Sequence, residues 1–187
     1  MVGSDYCGVP RSHRQRRTMS RVESIRLRVC QYDEIAALQR QVLRPKGPLP
    51  GDELPSLQTI HLGAFLATGD CVGACSVAPV PVPESAPELH AAHLPPPVWQ
   101  LFAMAVSSDA RGRGIGSRMA DLAVATASEW GAGGVWAAAR LSAVGFYQSH
   151  GWRAVGGVWE KSGVGPHRYV YFDGDTAELD SAASAFS

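Results

Sequence analysis

The chain has 187 residues, 45% of them hydrophobic, which is enough to bury one sizeable core, so a single domain is expected. Lysine plus arginine number 17 against 17 aspartate plus glutamate, so the formal net charge is zero and a nucleic-acid-binding body is disfavoured. No apolar run is long enough to span a bilayer and no signal-peptide pattern opens the chain, so a cytoplasmic protein without a membrane partner is expected.

The charge is unevenly placed. Arg11, Arg14, Arg16, Arg17 and Arg21 crowd the N-terminus, and Asp173, Asp175, Glu178 and Asp180 the C-terminus. Residues 1–22 are read as a basic, solvated, disordered tail, 23–173 as the one domain, and 174–187 as an acidic, small-residue tail. Met19 offers an alternative start. Cys7, Cys30, Cys71 and Cys75 form no C-x-x-C pair and have no histidine at zinc-finger spacing, so free thiols and no metal are expected.

From Ser24 to Cys30, Ile25, Leu27 and Val29 alternate with arginines, the period of a half-buried strand. Asp33 is read as an N-cap, followed by Ile35, Leu38 and Val42 or Leu43 at helical spacing up to Pro45. Arg44 to Ser56, rich in proline and glycine, is a loop. Thr59–Ala67 and Cys71–Val77 read as strands joined through Gly69-Asp70. Pro79 to Pro97 is too proline-rich to hold an element and is expected to be a long surface excursion. A strand from Trp99 to Val106 leads through a short polar turn to a glycine-rich loop and a helix that carries Ile115, Met119, Leu122, Ala123 and Thr126 inward and ends near Gly131. Gly134–Ala138 is a short buried strand and Ser142–Ser149 a short helix closed by Gly151. Ala154–Trp159 and His167–Phe172 are final strands. The order β-α-β-β-β-α-β-α-β-β predicts an α+β fold with a mixed sheet of about six to seven strands flanked by helices.

The loop Arg111-Gly112-Arg113-Gly114-Ile115-Gly116 points to a phosphate-bearing ligand. Its glycines let backbone approach closely, the following helix offers unpaired N–H groups, and two arginines add forked donors. A dinucleotide fingerprint would need glycine at 117, which is Ser117, and a nucleotide-triphosphate loop would need a lysine that is absent. What remains is Arg111-x-x-Gly114-x-Gly116. Downstream, Ala143, Phe146, Tyr147 and Gly151 fit the pattern A-x-x-F-Y-x-x-x-G-F, with Trp152 in place of its final phenylalanine.

The two motifs, in this order and context, resemble the GNAT superfamily of acetyl-CoA-dependent N-acyltransferases over roughly residues 24–172. The resemblance implies acetyl-CoA as cosubstrate and no metal. Met104, Ala105 and Val106 would lie along the pantetheine arm, and Arg111, Gly112, Arg113, Gly114, Ile115, Gly116 and Ser117 would hold the pyrophosphate. Ala143 and Phe146 would also contact the cofactor, and Tyr147 would be the general acid for the departing sulfur, a core tyrosine being the alternative. The oxyanion donor is expected to be a backbone N–H near Met104 or Ala105.

For the general base the candidates are His61, His167, Asp52 and Glu53, with His167 preferred for a catalytic or substrate-binding role. His150 is read as a helix C-cap. Arg140 stands where the family often has asparagine, and it could reach cofactor phosphate, an acidic acceptor or solvent. The expected activity is transfer of acetyl to a primary amine, a small molecule or peptide, by direct attack in a ternary complex. A non-catalytic acyl-CoA-binding module is the alternative, and a homodimer stays open.

Overall fold

The computed structural model describes residues 24–44 and 58–174. The arginine-rich head, the 45–57 loop with Asp52 and Glu53, and the acidic tail from residue 175 lie outside the described residues.

Seven strands form one sheet in the order β1-β2-β3-β4-β5-β7-β6. They are β1 (Arg26–Cys30), β2 (Ile60–Phe65), β3 (Cys71–Ala78), β4 (Val98–Val106), β5 (Gly134–Arg140), β6 (Arg153–Lys161) and β7 (Gly165–Phe172). Every neighbouring pair is antiparallel except β4 and β5. Between the strands run helices α1 (Tyr32–Leu43), α2 (Pro87–His90), α3 (Ile115–Glu129) and α4 (Val144–Gln148). The mixed sheet of the α+β expectation is present, with seven strands.

The helices divide the two faces of the sheet. Ile115, Met119, Ala123 and Ala127 of α3 pack with Leu62, Val77, Leu101, Val135 and Ala137 in the larger core. Ile35 and Leu38 of α1 pack on the other face with Phe65, Ala74 and Ala105. The larger core alone contains some twenty near-fully buried residues, the main source of hydrophobic stabilisation in this chain.

Several local expectations are corrected. Helix α1 starts two residues earlier than an Asp33 cap requires. Gln31 caps it, its backbone N–H donating to the Glu34 carboxylate at 2.9 Å, while Asp33 and Glu34 both lie in the first turn, where carboxylates complement the helix dipole. The proline-rich segment does contain an element. Pro87 opens α2, a position where its missing N–H costs nothing, and Leu89 and Ala86 are buried against Trp136. The indole N–H of Trp136 donates to Val80 O at 2.9 Å, so the excursion is fastened to the sheet as its cover. At Gly133 the Pro95 carbonyl occupies the space a Cβ would need. Strands β6 and β7 also approach each other more closely through their turn than expected, reaching Lys161 and starting at Gly165.

Both helices that border the candidate site end in the same way. For α3, Gly131 takes φ +85°, Ala132 N–H donates to Ala127 O and Gly131 N–H to Ser128 O. For α4, Gly151 takes φ +79° and Trp152 N–H donates to Tyr147 O at 3.1 Å. This six-to-one closure brings the residue after the glycine back onto the helix, and Trp152 packs on Tyr147 with ring centroids 5.1 Å apart.

Candidate active site

Strands β4 and β5 pair only from Val98–Gln100 to Gly134–Trp136. Beyond that they separate, and the gap is a cleft of about 370 Å³. Phe102, Ala103 and Met104 form one wall, Ala138, Ala139 and Arg140 the other, and Tyr147 and His167 reach it from α4 and β7.

The β4 wall is irregular for an identifiable reason. In the ladder with β3, Ala74 pairs with Ala105 and Ser76 with Phe102, so a single residue of β3 faces Ala103 and Met104. Ala103 holds φ +53°, a left-handed value that costs a side-chain-bearing residue about 1–2 kcal/mol. Such a bulge shifts the alternation of everything after it. Leu101 faces the α3 core, and after the extra residue so do Met104 and Val106, while Ala105 turns to α1. The side-chain amide of Gln39, 1% exposed on α1, donates to Ala103 O at 3.0 Å. In a trans peptide the N–H points opposite to the C=O, so the Met104 N–H is directed away from Gln39. Gln39 was not singled out in the sequence. Its signal was there: with Ile35, Leu38 and Val42 it completes a helical stripe, as the one polar member.

The glycine loop leaves β4 through Ser107–Ala110 and enters α3 at Gly114, the N-cap. Gly112 and Gly114 have φ +74° and +72°, and no atom lies within 4 Å of where either Cβ would stand. Their requirement is conformational, and it bares the first-turn amides of a 15-residue helix that has no side-chain cap. Arg111 and Arg113 are exposed on this loop, Ile115 is buried, and Gly116 and Ser117 are half-buried. A Cβ on Gly116 would come within 3.3 Å of the Phe146 ring. The two sequence motifs therefore touch: the loop packs on α4 at Phe146. These features fit an acyl-CoA pyrophosphate, an anion recognised by uncapped amides and flanking arginines.

Tyr147 is 6% exposed, stacked edge-on between Phe146 and Trp152, and its hydroxyl makes a weak hydrogen bond to Met104 Sδ at 3.9 Å. Burial holds its phenol well above the usual value, so it keeps its proton. Ala143 precedes it at the end of a 3-10 turn and also lines the cleft.

His167 is 4% exposed. Its Nδ1 lies 2.7 Å from Gly165 O, a carbonyl that can only accept, which places the proton on Nδ1 and leaves Nε2 with a lone pair. Burial chiefly lowers its pKa. The Gly165 bond opposes this, the charges of Lys161 and Arg140 add to it, and Glu160 opposes them. Trp159 and His167 lie 5.4 Å apart, ring to ring.

Other candidates are placed elsewhere. His61 lies on β2, its Nδ1 2.9 Å from Ser76 Oγ and its ring against Tyr32, outside the cleft lining. His150 binds the Phe146 carbonyl through Nδ1 at 2.7 Å, as a cap of α4. Arg140 neither points to the glycine loop nor faces solvent alone: its Nη2 donates to Leu43 O at 2.8 Å, joining the end of β5 to the last turn of α1 across the cleft. Lys161, unremarked in the sequence, lines the cleft with it. Among the described residues no group of histidine, cysteine, aspartate and glutamate could hold a metal, and no helix is long and apolar enough to cross a membrane.

Comparison with known proteins gives a consistent picture. A family model described as Acetyltransferase (GNAT) family matches residues 34–152. A sequence search of curated proteins finds no significant match. Among solved structures the chain is similar to Escherichia coli ElaA, at 18% identity and TM-score 0.59, covering 80% of this chain and 99% of that one. It is likewise similar to an IAA acetyltransferase from Bacillus cereus, at 15% identity and TM-score 0.59, covering 80% and 99%. FeeM, an N-acyl amino acid synthase from uncultured soil microbes, superposes with TM-score 0.62 at 13% identity, covering 80% and 91%. With a GNAT model matching well over half its length and this fold around the cleft, the chain belongs to the GNAT acetyltransferase family and is an acyltransferase.

Proposed function

We propose that the protein transfers an acetyl group from acetyl-CoA to a primary amine by direct attack within a ternary complex. The observation that carries this reading is continuity. The uncapped N-terminus of α3 touches Phe146 through Gly116, and the next residue, Tyr147, presents a protonated hydroxyl beside the displaced backbone of β4. An anion-binding loop, an amide-bearing strand and an acid thus lie along one path.

Acyl transfer to an amine needs a neutral nucleophile, a donor for the developing oxyanion and a proton for the departing thiolate. Arg111 to Ser117 and the β4 edge at Met104, Ala105 and Val106 hold acetyl-CoA, with Ala143 and Phe146 packing beside it. The Met104 N–H, directed away from Gln39 by the bulge, is the oxyanion donor. Tyr147 gives its proton to the leaving sulfur, and a phenol kept protonated by burial is fitted to that step. The lone pair on His167 Nε2 takes the proton of the attacking amine, its tautomer fixed by Gly165. The unit that does this comprises residues 23–173.

Isothermal titration with acetyl-CoA, followed by a thiol-release screen over amines, amino acids and peptides, tests the reading. Tyr147→Phe is expected to lower kcat at least tenfold, about 1.4 kcal/mol of barrier, with acetyl-CoA affinity nearly unchanged. An unchanged kcat removes the acid from Tyr147. Absence of any heat with acetyl-CoA or longer acyl-CoAs removes the enzyme reading altogether.

A further inference from the structure

Three cationic side chains from three separate elements line the acceptor end of the cleft: Arg44 at the end of α1, Arg140 at the end of β5 and Lys161 at the end of β6. No aspartate or glutamate among the described residues lines it with them. This end lies across the cleft from the glycine loop, since Arg140 is bonded to the last turn of α1, whereas Gly116 and Phe146 belong to the face covered by α3 and α4. The cation cluster is therefore separate from the loop assigned to the pyrophosphate.

We infer that the acceptor is an amine bearing a carboxylate, an amino acid or the like, whose carboxylate is bound by Arg140 with Lys161 and Arg44 beside it. The inference rests on the acetyltransferase reading and names its substrate class. Arg140 is the centre of the argument. Its Nη2 is engaged with a neutral carbonyl, and among the described residues no carboxylate forms an ion pair with it, so that bond fixes the guanidinium in place and leaves its charge in the cleft. A guanidinium held by one nitrogen still offers N–H groups in the planar fork that matches a carboxylate. Leu43, Phe102 and Val164 give the same end apolar walls for the rest of such a substrate. A wholly cationic acceptor, such as a polyamine, would instead meet the like charge of Arg140.

The test is a thiol-release assay with acetyl-CoA across a panel of amino acids, each beside its carboxamide and its decarboxylated amine. For the preferred side chain, kcat/KM for the free carboxylate is expected to exceed that for the amide and the amine at least thirtyfold. Arg140→Met should raise KM for the amino acid at least tenfold and collapse that ratio towards one, with kcat falling less. Arg140→Lys, which keeps the charge, should restore part of the ratio. Because Arg140 also ties β5 to α1, melting of each variant is followed, and Lys161→Met, in a different element, should lower the ratio independently. A second readout needs no turnover: with CoA present, N-acetyl amino acids should raise Tm more than N-acetyl amino acid amides do. Equal or better turnover of amides, amines or polyamines, or equal protection by the acid and amide products, overturns the inference while leaving the acetyltransferase reading intact. Loss of acetyl-CoA binding in the parent protein would overturn both.

Discussion

Replacing Gln39 by methionine separates the scaffold of the cleft from its chemistry. Methionine has nearly the length and volume of glutamine, so α1 keeps its packing, and what disappears is the donor to Ala103 O. An orphaned buried carbonyl costs about 1–3 kcal/mol. At roughly 2–4 °C of Tm per kcal/mol for a domain of this size, the melt should fall by about 2–12 °C. Ala103 sets the position within that range. Its left-handed backbone stores about 1–2 kcal/mol, and relaxation of the bulge would return part of the loss. Relaxation would also swing the Met104 N–H, and removal of one oxyanion donor costs about 10²–10³ in kcat, so partial misdirection should lower kcat at least tenfold. The assay is thiol release at saturating acetyl-CoA, beside thermal melting. Ile35→Val, on the same helix and buried, gives a matched destabilisation of about 0.5–1.5 kcal/mol that should leave kcat alone. A Gln39→Met protein that melts lower yet turns over at the parent rate refutes the link between Gln39 and the β4 amide.

Other perturbations follow from single features. Gly114→Ala meets no atom, yet must hold φ +72°, so it should cost about 1–2 kcal/mol in stability by melting and weaken acetyl-CoA binding by titration. Gly145→Ala lies within α4 with open space around the new methyl, so helix propensity alone should raise stability by about 0.5–1 kcal/mol, and a lower Tm would contradict the geometry. His61 and His167 both titrate below their ordinary value, chiefly through burial. The unfolded chain therefore binds more protons than the folded one below about pH 6.5, and stability present above that pH should be lost as pH falls through the lowered values. Melting from pH 7.5 to 5 should show this decline, and His167→Gln should flatten it; an unchanged slope would mean His167 contributes nothing to it.

Much of the fold was legible because its signals are local. The Gly69-Asp70 turn and the glycine that ends α4 appear where chain chemistry demands them, and the alternation read for β1 holds for Ile25 and Leu27, which are half-buried, but not for Val29, which is exposed near the sheet edge. The Pro79–Pro97 excursion was misjudged because α2 has one turn and no periodicity, and its place is fixed by distant partners, Trp136 and Gly133. The start of α1 was misjudged because a glutamine and a glutamate share the capping that an aspartate seemed to offer. In the site, the loop and Tyr147 stood out as motifs, and the structure adds their contact through Phe146. Gln39 showed only as a polar residue in an apolar stripe, its partner Ala103 hidden, and Lys161 and the bridge from Arg140 to Leu43 were not legible, since each acquires meaning only from a residue far along the chain. His61 and His167 are alike as isolated histidines, and only the fold separates the one beside Ser76 from the one in the cleft.

The bulge at Ala103 makes β4 intolerant of any change in its length. Upstream of it, Trp99 and Leu101 are in phase with the α3 core. Downstream, Met104 and Val106 hold that same facing by virtue of one additional residue. Deleting a residue from Val98 to Met104 would close the bulge or turn Met104 over to the α1 side, and deleting Ala105 would turn Val106 over instead. Substitutions in this strand can be graded in effect, whereas insertions and deletions act by frame. Length variation among chains of this architecture should therefore collect in the segments between elements, leaving the span of β4 fixed to the residue.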